Sequence, residues 1–254
     1  MKMNSRRIDF IGINLHDVKM IEALETVDAF VTSRTPHKIF GVNVAAYTKA
    51  MTHPALLRFY HSCDLLTVDG MGIYYAARAM GLKFCETVPT SYLMFEILKR
   101  GQKSHYRVFL LGSKPQVVQM AAANLRRYYP GVELAGYEHG FFSKTEESQV
   151  VSKIAASAAD VLLIGMSSPL KEEFVQGNFD RLNVPVQIGV GGALDVLAGV
   201  TNLPPRWVRT LGFEWMNRLI QEPGRLWRRY LFTNTRFGFL FLRRLAGRLF
   251  AEER

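Results

Sequence analysis

Residues 107–129, RVFLLGSKPQVVQMAAANLRRYY, contain one complete structural unit. The apolar run VFLL has the length and composition of a buried β-strand, and Gly112 and Ser113 indicate a turn after it. Pro115 suits the first turn of a helix, and the residues after it follow a helical pattern. This stretch therefore predicts a strand, a short loop and a helix in succession.

The same succession recurs on both sides of that unit. The strand-like runs and the helical patterns that follow them are RIDFIGINL before DVKMIEALETVDAFVTS, KIFGVNV before AAYTKAM, LLTV before MGIYYAARAMG, DVLLIGMSS before PLKEEFVQGNFDRL, and VPVQIGVGG before ALDVLAG. Such alternation predicts an α/β fold, with a parallel sheet flanked by helices.

Charge divides the chain into a nearly neutral body and a basic appendage. Of the net charge of +10, +7 falls in residues 206–254, which hold eleven Arg, no Lys and four Glu. The same region contains all three Trp residues, interleaved with Arg and bulky apolar residues in a helical pattern. We therefore predict an α/β domain over residues 1–203 and a helical basic appendage over residues 204–254.

Three interpretations of the appendage remain open at this level. Arg and aromatic residues at helical spacing suit a helix that lies in an anionic membrane surface. Alternatively, the aromatic residues pack on the body while the arginines are solvated, or the basic face contacts nucleic acid. The pattern favours the membrane.

Other features of the sequence favour a cytoplasmic protein. No run of about 18 uncharged apolar residues predicts a transmembrane helix, and the first residues lack the apolar stretch of a signal peptide. Cys63 and Cys85 are too few for a disulfide framework and lack metal-site spacing with the histidines. We expect no metal and no cofactor.

Open parallel sheets bind ligands beyond the carboxyl ends of their strands. The positions that follow the predicted strands are Asn43, Asp69, Gly112–Ser113, Gly165–Ser168 and Gly189–Gly192. Several lie just before a predicted helix, where free N–H groups and the helix dipole favour phosphate oxygens. The body is therefore predicted to hold an anionic ligand such as a nucleotide.

Several common active-site patterns do not occur in the sequence. Without D-x-D, H-E-x-x-H or G-x-x-x-x-G-K-[ST], a metal-diphosphate, zinc or P-loop site has no support. GVGGAL at 189–194 has Leu194 where a dinucleotide loop has its third glycine, which weakens a nucleotide-dependent oxidoreductase. The loop still suits close approach to a diphosphate or sugar.

The polar residues at the predicted edge admit structural and chemical roles. Asp-Gly is common turn chemistry and Asp is a preferred helix cap, so Asp69 taken alone is more often a cap. At a sheet edge it is equally placed to act as a general base. Asn43 either satisfies backbone groups or holds a polar ligand. Glu172 and Glu173, in a first helical turn, most often favour the helix dipole.

Five segments in order resemble the WecG/TagA/CpsF family of bacterial glycosyltransferases. They are LLTVDGMG (65–72), VFLLGSKPQVV (108–118), YPGVELAGYEHGFF (129–142), IGVGGALDVLAG (188–199) and LGFEWMNRLIQEPGRLWRRYL (211–231). The last is the most specific, with the pattern G-x-E-W-x-x-R-L-x-x-E-P-x-R-L. The resemblance extends from about Ile8 to about Tyr230.

The resemblance implies an inverting, metal-independent glycosyltransferase that works on the inner face of the cytoplasmic membrane. It implies transfer of a hexose or N-acetylhexosamine from a UDP-sugar to a polyprenyl-diphosphate-linked saccharide, in cell-surface or exopolysaccharide biosynthesis. It further implies a Rossmann-like sheet of a distinct glycosyltransferase type and an appendage that helps to close the site and attach to the membrane. No nucleic-acid partner is expected.

The family's motifs place its residues on this chain. Asp69 takes the position of the family's proposed base. Together with the sheet-edge rule, the motifs give as substrate-binding residues Asn43, Gly70, Gly112, Ser113, Ser168, Pro169, Lys171, Glu172, Gly191, Gly192, Asp195, Arg218, Arg225 and Arg228.

The chain departs from the family pattern at three places. TVPTSYL has Thr87, Thr90 and Tyr92 where the family has Arg, Gly and Asp. In SSPLKE, Ser167 replaces a glycine and Lys171 a glutamine, and Leu203 replaces an arginine before the appendage. These departures leave the donor sugar open between N-acetylmannosamine and another hexose such as glucose. The alternative function is a nonenzymatic protein whose basic tail binds anionic membrane or nucleic acid.

Overall fold

The computed structural model describes residues 6–205, 208, 216, 219, 220 and 223–252, and its centre is a six-stranded parallel sheet. The strands, in the order in which they lie side by side, are β4 (Leu65–Val68), β3 (His37–Val42), β8 (Val186–Gly189), β7 (Val161–Gly165), β5 (Arg107–Gly112) and β6 (Glu133–Glu138). Every pairing in this sheet is parallel, which confirms the predicted α/β class.

Helices cover both faces of the sheet. They are α1 (Met20–Ser33), α2 (Val44–Ala50), α3 (Pro54–His61), α4 (Met71–Ala79), α5 (Thr90–Ser104), α6 (Pro115–Tyr128), α7 (Glu147–Ala156), α8 (Leu170–Leu182), α9 (Ala193–Leu197) and α10 (Pro223–Glu252). Alternate strand residues supply two separate cores, because successive side chains point to opposite faces. Phe40 packs with α2, α3 and α8, whereas Ile39 packs with α1, α5 and α9.

The run RIDFIGINL, predicted as one strand, is an antiparallel hairpin outside the main sheet. Its strands are β1 (Arg7–Phe10) and β2 (Ile13–His16). Ile11 and Gly12 form the turn, with φ of +50° and +85°, which is the backbone geometry of a two-residue hairpin. The prediction was wrong because the apolar residues continue through the turn, so that Gly12 was the only break in the pattern.

The segment TVPTSYL is also more ordered than a loop. Thr90 and Tyr92 lie in the first turn of α5, which begins directly after Pro89. Val88 ties this segment to β4, because its N–H donates to the Val68 carbonyl at 2.9 Å. Two of the three family departures in this segment, Thr90 and Tyr92, therefore lie on a helix whose start is bonded to β4, and Thr87 precedes that helix.

The C-terminal helix α10 packs against α2. The rings of Tyr47 and Phe237 meet edge to face at 5.6 Å between centroids, and Thr48 Oγ1 donates to the Thr233 carbonyl at 3.5 Å. Other side chains of α10 are exposed, among them Phe232 at 72% and Phe239 at 67%. In the described part of the chain, none of the helices combines the length and apolarity needed to cross a membrane.

Candidate functional site

The carboxyl ends of the parallel strands bring the predicted polar loops to one edge of the sheet. Asp69 follows β4, Asn43 follows β3, and the loops 190–192, 166–168 and 113–114 follow β8, β7 and β5. The strand order places these loops in the sequence Asp69, Asn43, 190–192, 166–168, 113–114 along the edge. Five segments that are far apart in the sequence therefore lie next to one another at this edge.

Asp69 is held at this edge by β3 and α5. Its N–H donates to the Val42 carbonyl at 3.0 Å, and Thr90 Oγ1 donates to Asp69 Oδ2 at 3.2 Å. The N-cap of α4 is Gly70, and no side chain caps this helix. The interpretation of Asp69 as a helix cap was therefore wrong, since the residue lies one position too early. Its carboxylate is placed by neighbouring elements instead.

Asn43 is a helix cap. It occupies the N-cap of α2, where its Oδ1 accepts the Ala46 N–H at 3.0 Å. The side chain is exposed at the edge of the sheet. The cap fixes one end of the amide, so that the group has a defined direction next to the loop that carries Asp69.

Backbone segments approach closely at the ends of β5 and β7. Gly112 has a φ of +135°, and a Cβ atom on it would lie 2.5 Å from the carbonyl carbon of Gly165. Ser113 donates its N–H to the Gly165 carbonyl at 3.2 Å and its hydroxyl to Asp195 Oδ1 at 3.0 Å. The glycine contacts join two strand ends, and the Ser113–Asp195 bond ties the β5 loop to α9. A ligand in this half of the edge would meet backbone, a hydroxyl and a carboxylate.

The helix starts offer fewer N–H groups than the sequence predicted. The N–H groups of Ser113, Lys171 and Ala193 donate to the carbonyls of Gly165, Ser167 and Val190, respectively. These groups were expected to face an anionic ligand. The structure corrects that expectation because tight turns at the strand ends use these donors internally.

The start of α8 contains a buried ion pair. Lys171 Nζ lies 2.8 Å from Glu172 Oε1, and Tyr60 Oη donates to the same oxygen at 3.0 Å. The Glu172 side chain is 1% exposed, and its Oε2 has no hydrogen-bond partner among the described residues. Burial, followed by the charge of Glu172, raises the pKa of Tyr60. Glu172 is thus an interior carboxylate, whereas Glu173 is exposed, and both lie in the first turn of α8 as predicted.

The partners of this loop could not be predicted from the sequence. Lys49, in α2, donates from Nζ to the Ser168 carbonyl at 2.6 Å, next to Pro169. Lys49 and Tyr60 come from helices more than 100 residues away, and neither follows a strand, so the sheet-edge rule could not select them. From the sequence alone, a polar side chain in the last turn of a helix cannot be distinguished from one that is simply solvated.

Three of the predicted substrate-binding residues are arginines of the C-terminal appendage. Arg218 is outside the described residues, and Arg225 lies on α10. Arg228 is exposed, with its guanidinium carbon 5.2 Å from the centroid of the Trp227 ring. Within the described ranges, no group of three or more His, Cys, Asp or Glu side chains is arranged to hold a metal ion.

Comparisons with known proteins identify similar chains. A family model described as "Glycosyl transferase WecG/TagA/CpsF family" matches residues 8–250. The chain is 29% identical over 229 residues to the N-acetylglucosaminyldiphosphoundecaprenol N-acetyl-beta-D-mannosaminyltransferase of Staphylococcus aureus strain MW2, with 89% of each protein covered. The proteins of the same name from strains NCTC 8325 / PS 47 and MRSA252 are 29% and 28% identical over the same coverage.

Proposed function

Since this chain belongs to the glycosyl transferase WecG/TagA/CpsF family, we propose that it transfers a hexose or N-acetylhexosamine from a UDP-sugar to a polyprenyl-diphosphate-linked saccharide. The names of the Staphylococcus aureus relatives describe an N-acetylglucosaminyldiphosphoundecaprenol acceptor and an N-acetylmannosaminyl group, which supports this class of acceptor. The product would enter a cell-surface polysaccharide or exopolysaccharide. The changes at Thr87, Thr90 and Lys171 leave the choice of donor sugar to experiment.

The position of Asp69 is the observation that carries this proposal. Its carboxylate lies at the ligand-binding edge of the sheet, with one oxygen oriented by the Thr90 hydroxyl. Such a group can accept the proton of the acceptor hydroxyl as that oxygen attacks the anomeric carbon. The bond from the anomeric carbon to the diphosphate breaks in the same displacement, the UDP leaves with its electron pair, and the configuration inverts.

The leaving diphosphate would be stabilised without a metal ion in this proposal. Lys171 and the start of α8 lie near the middle of the sheet edge, and the ion pair with Glu172 fixes the direction of the Lys171 ammonium. Gly191, Gly192, Ser113 and Asp195 would receive the nucleotide at the neighbouring strand ends. Donors fixed before the reaction stabilise developing charge more than donors that must reorient.

The helix α10 would attach the enzyme to the inner face of the cytoplasmic membrane. Its exposed side chains combine apolar groups with cations: Phe232, Phe239, Leu242, Arg228, Arg236 and Arg243. This combination suits a helix that lies in the surface of an anionic bilayer, where a lipid-linked acceptor is found. Attachment alone would also describe a nonenzymatic membrane-binding protein, but that function leaves the polar sheet edge without a role.

A screen for transfer tests the proposal directly. The full-length protein is incubated with a panel of UDP-sugars and short-chain polyprenyl-diphosphate saccharides, with and without EDTA. Transfer from one UDP-sugar that persists in EDTA is the expected result. If the protein binds vesicles but neither transfers a sugar nor binds UDP, the result favours the nonenzymatic alternative.

Asp69→Asn tests the catalytic assignment. The substitution keeps the shape of the side chain and removes its basicity, so we expect turnover to fall by about 10²–10⁴-fold. UDP binding and thermal unfolding should match the wild type. Glu173→Gln is the matched control, because this exposed carboxylate of α8 has no part in the proposed mechanism. Turnover near the wild-type value in Asp69→Asn would refute the assignment.

A further inference from the structure

We propose that Thr90 is the positioning residue for the Asp69 carboxylate and that Gly41 provides the space in which the two side chains meet. The inference rests on the proposed function, because it concerns the base of that reaction. Thr90 Oγ1 donates to Asp69 Oδ2 at 3.2 Å, and Thr90 is only 4% exposed. A hydroxyl that donates to one carboxylate oxygen limits rotation of the whole group.

Thr90 is itself held firmly by β4. Two residues before it on the chain, Val88 donates its N–H to the Val68 carbonyl at 2.9 Å. The buried Thr67 hydroxyl donates to the Val88 carbonyl at 2.7 Å. Two hydrogen bonds therefore fix the start of α5 against β4, the strand that Asp69 follows. Because Thr is β-branched, its χ1 angle is restricted to few rotamers, which limits the directions that the hydroxyl can take.

The helix start does not require the Thr90 hydroxyl. Pro89 occupies the N-cap of α5, and no side chain caps the helix. Thr90 is the first residue inside the helix, where its hydroxyl bonds Asp69. An ordinary capping role is thus excluded, and the bond to Asp69 is the interaction that the hydroxyl makes across elements.

Gly41 leaves the space that this arrangement needs. A Cβ atom on Gly41 would lie 2.6 Å from Asp69 Cβ, 2.9 Å from Asp69 Oδ2 and 3.0 Å from Thr90 Cγ2. Its backbone is not in the left-handed region, so that conformation does not explain the glycine. The absence of a side chain at 41 allows Asp69 and Thr90 to lie side by side at the end of β3.

The experiment compares Thr90→Val with Thr90→Ser in the full-length protein. Val keeps the shape and the branching of Thr but removes the donor, whereas Ser keeps the donor. The free energy of a hydrogen bond to a charged group is equivalent to a change in rate of about 10–100-fold. We therefore expect kcat of Thr90→Val to fall by about that factor. The KM values for both substrates and the melting temperature should stay near those of the wild type, and Thr90→Ser should retain most of kcat.

A second comparison ties the effect to Asp69. In the Asp69→Asn background, Thr90→Val should cause little further loss, because the group that Thr90 positions has already lost its basicity. Gly41→Ala should lower kcat at least as much as Thr90→Val, since the added methyl group displaces the carboxylate.

Three different results would overturn the inference. If Thr90→Val keeps wild-type kcat while Asp69→Asn is inactive, Thr90 does not position the base, although the base itself stands. If Asp69→Asn remains active, the proposed mechanism and the role of Thr90 both fail. Equal losses of kcat and melting temperature in Thr90→Val and Thr90→Ser would show a purely structural role and would also overturn it.

Discussion

His16 is a single residue whose burial ties stability to pH. It ends β2 at 3% exposure, where the Leu66 N–H lies 2.9 Å from its Nδ1 and Arg7 Nε lies 3.0 Å from its Nε2. Burial, with the charge of Arg7 added, lowers the pKa of His16 from 6.5 to about 4. The native state therefore holds a neutral imidazole at pH values where the unfolded chain would be protonated.

The sign of the pH effect follows from this difference. Between the two pKa values the unfolded state binds more protons at this residue, so the contribution of His16 to the free energy of unfolding is highest above about pH 6.5 and falls as the pH decreases towards about 4. From the shift we expect a loss of about 2 kcal/mol between about pH 7.5 and about pH 5. Urea unfolding at the two pH values measures it.

His16→Asn should remove most of that pH dependence, because the amide cannot titrate. His61→Asn is the matched control, since His61 is exposed at the end of α3. A slope that His16→Asn leaves unchanged would contradict the assignment of the effect to His16.

Individual residues also show what the sequence could predict. Asp69, Asn43 and the glycine loops were identified because each follows a strand, which is a local pattern. Thr90, Gly41, Lys49 and Tyr60 were not, because their partners are fixed only by the folded sheet. Thr90 was noticed as a departure from a family pattern, but its bond to Asp69 depends on where α5 begins.

At the scale of elements, α10 has one face that packs on α2 and another that is exposed. Thr233, Phe237 and Phe241 lie on the face towards α2, and they are partly buried. Phe239 lies on the far side of the helix and is 67% exposed. The sequence predicted a helical appendage over residues 204–254, and the structure confirms a C-terminal helix at Pro223–Glu252, yet the sequence left packing and membrane contact as alternatives. The structure shows that one face packs against α2. The other face is exposed, and the membrane proposal rests on it.

A pair of phenylalanine substitutions separates these faces. Phe237→Ala removes the contacts with Tyr47 and Phe241, so we expect a loss of about 1–2 kcal/mol, less than for a fully buried ring. Hydrogen exchange of the α10 amides should become correspondingly faster. Phe239→Ala should leave this exchange within about 0.5 kcal/mol of the wild type.

The opposite pattern is expected on vesicles. Phe239→Ala should weaken binding to anionic vesicles by about tenfold, because one apolar ring no longer enters the bilayer surface. Unchanged vesicle binding in Phe239→Ala, together with unchanged exchange in Phe237→Ala, would contradict both roles.

At the scale of the whole molecule, close contacts between glycine residues join strand ends that are neighbours in the sheet but distant in sequence. Gly112 meets Gly165 of the neighbouring strand, and Gly140 approaches Gly112 from the loop after β6. The alternation of strands and helices predicted a parallel sheet. It could not predict these contacts or the order of the strands, because both depend on pairings between segments far apart in sequence.

Gly112→Ala should destabilise the molecule strongly. The methyl group would meet the Gly165 backbone at 2.5 Å, and the φ of +135° strains any residue with a Cβ atom. We expect a loss of about 3 kcal/mol or more in urea unfolding. Gly177→Ala is the control: this exposed glycine of α8 has nothing within 4 Å of an added Cβ, so the helix should gain about 0.5–1 kcal/mol. Equal stability of the two variants would contradict the close approach.

The central place of β8 has a consequence for synthesis of the chain. Val186–Gly189 pairs with β3 on one side and β7 on the other, yet it is the last strand of the sheet to be translated. Until it leaves the ribosome, β3 and β7 each have an edge of unpaired backbone N–H and C=O groups, which is a template for association with other chains. Before β8 is made, the other strands can pair only as β4–β3 and as β7–β5–β6, so each of the two cores becomes continuous along its own face of the sheet only when β8 is inserted between these groups.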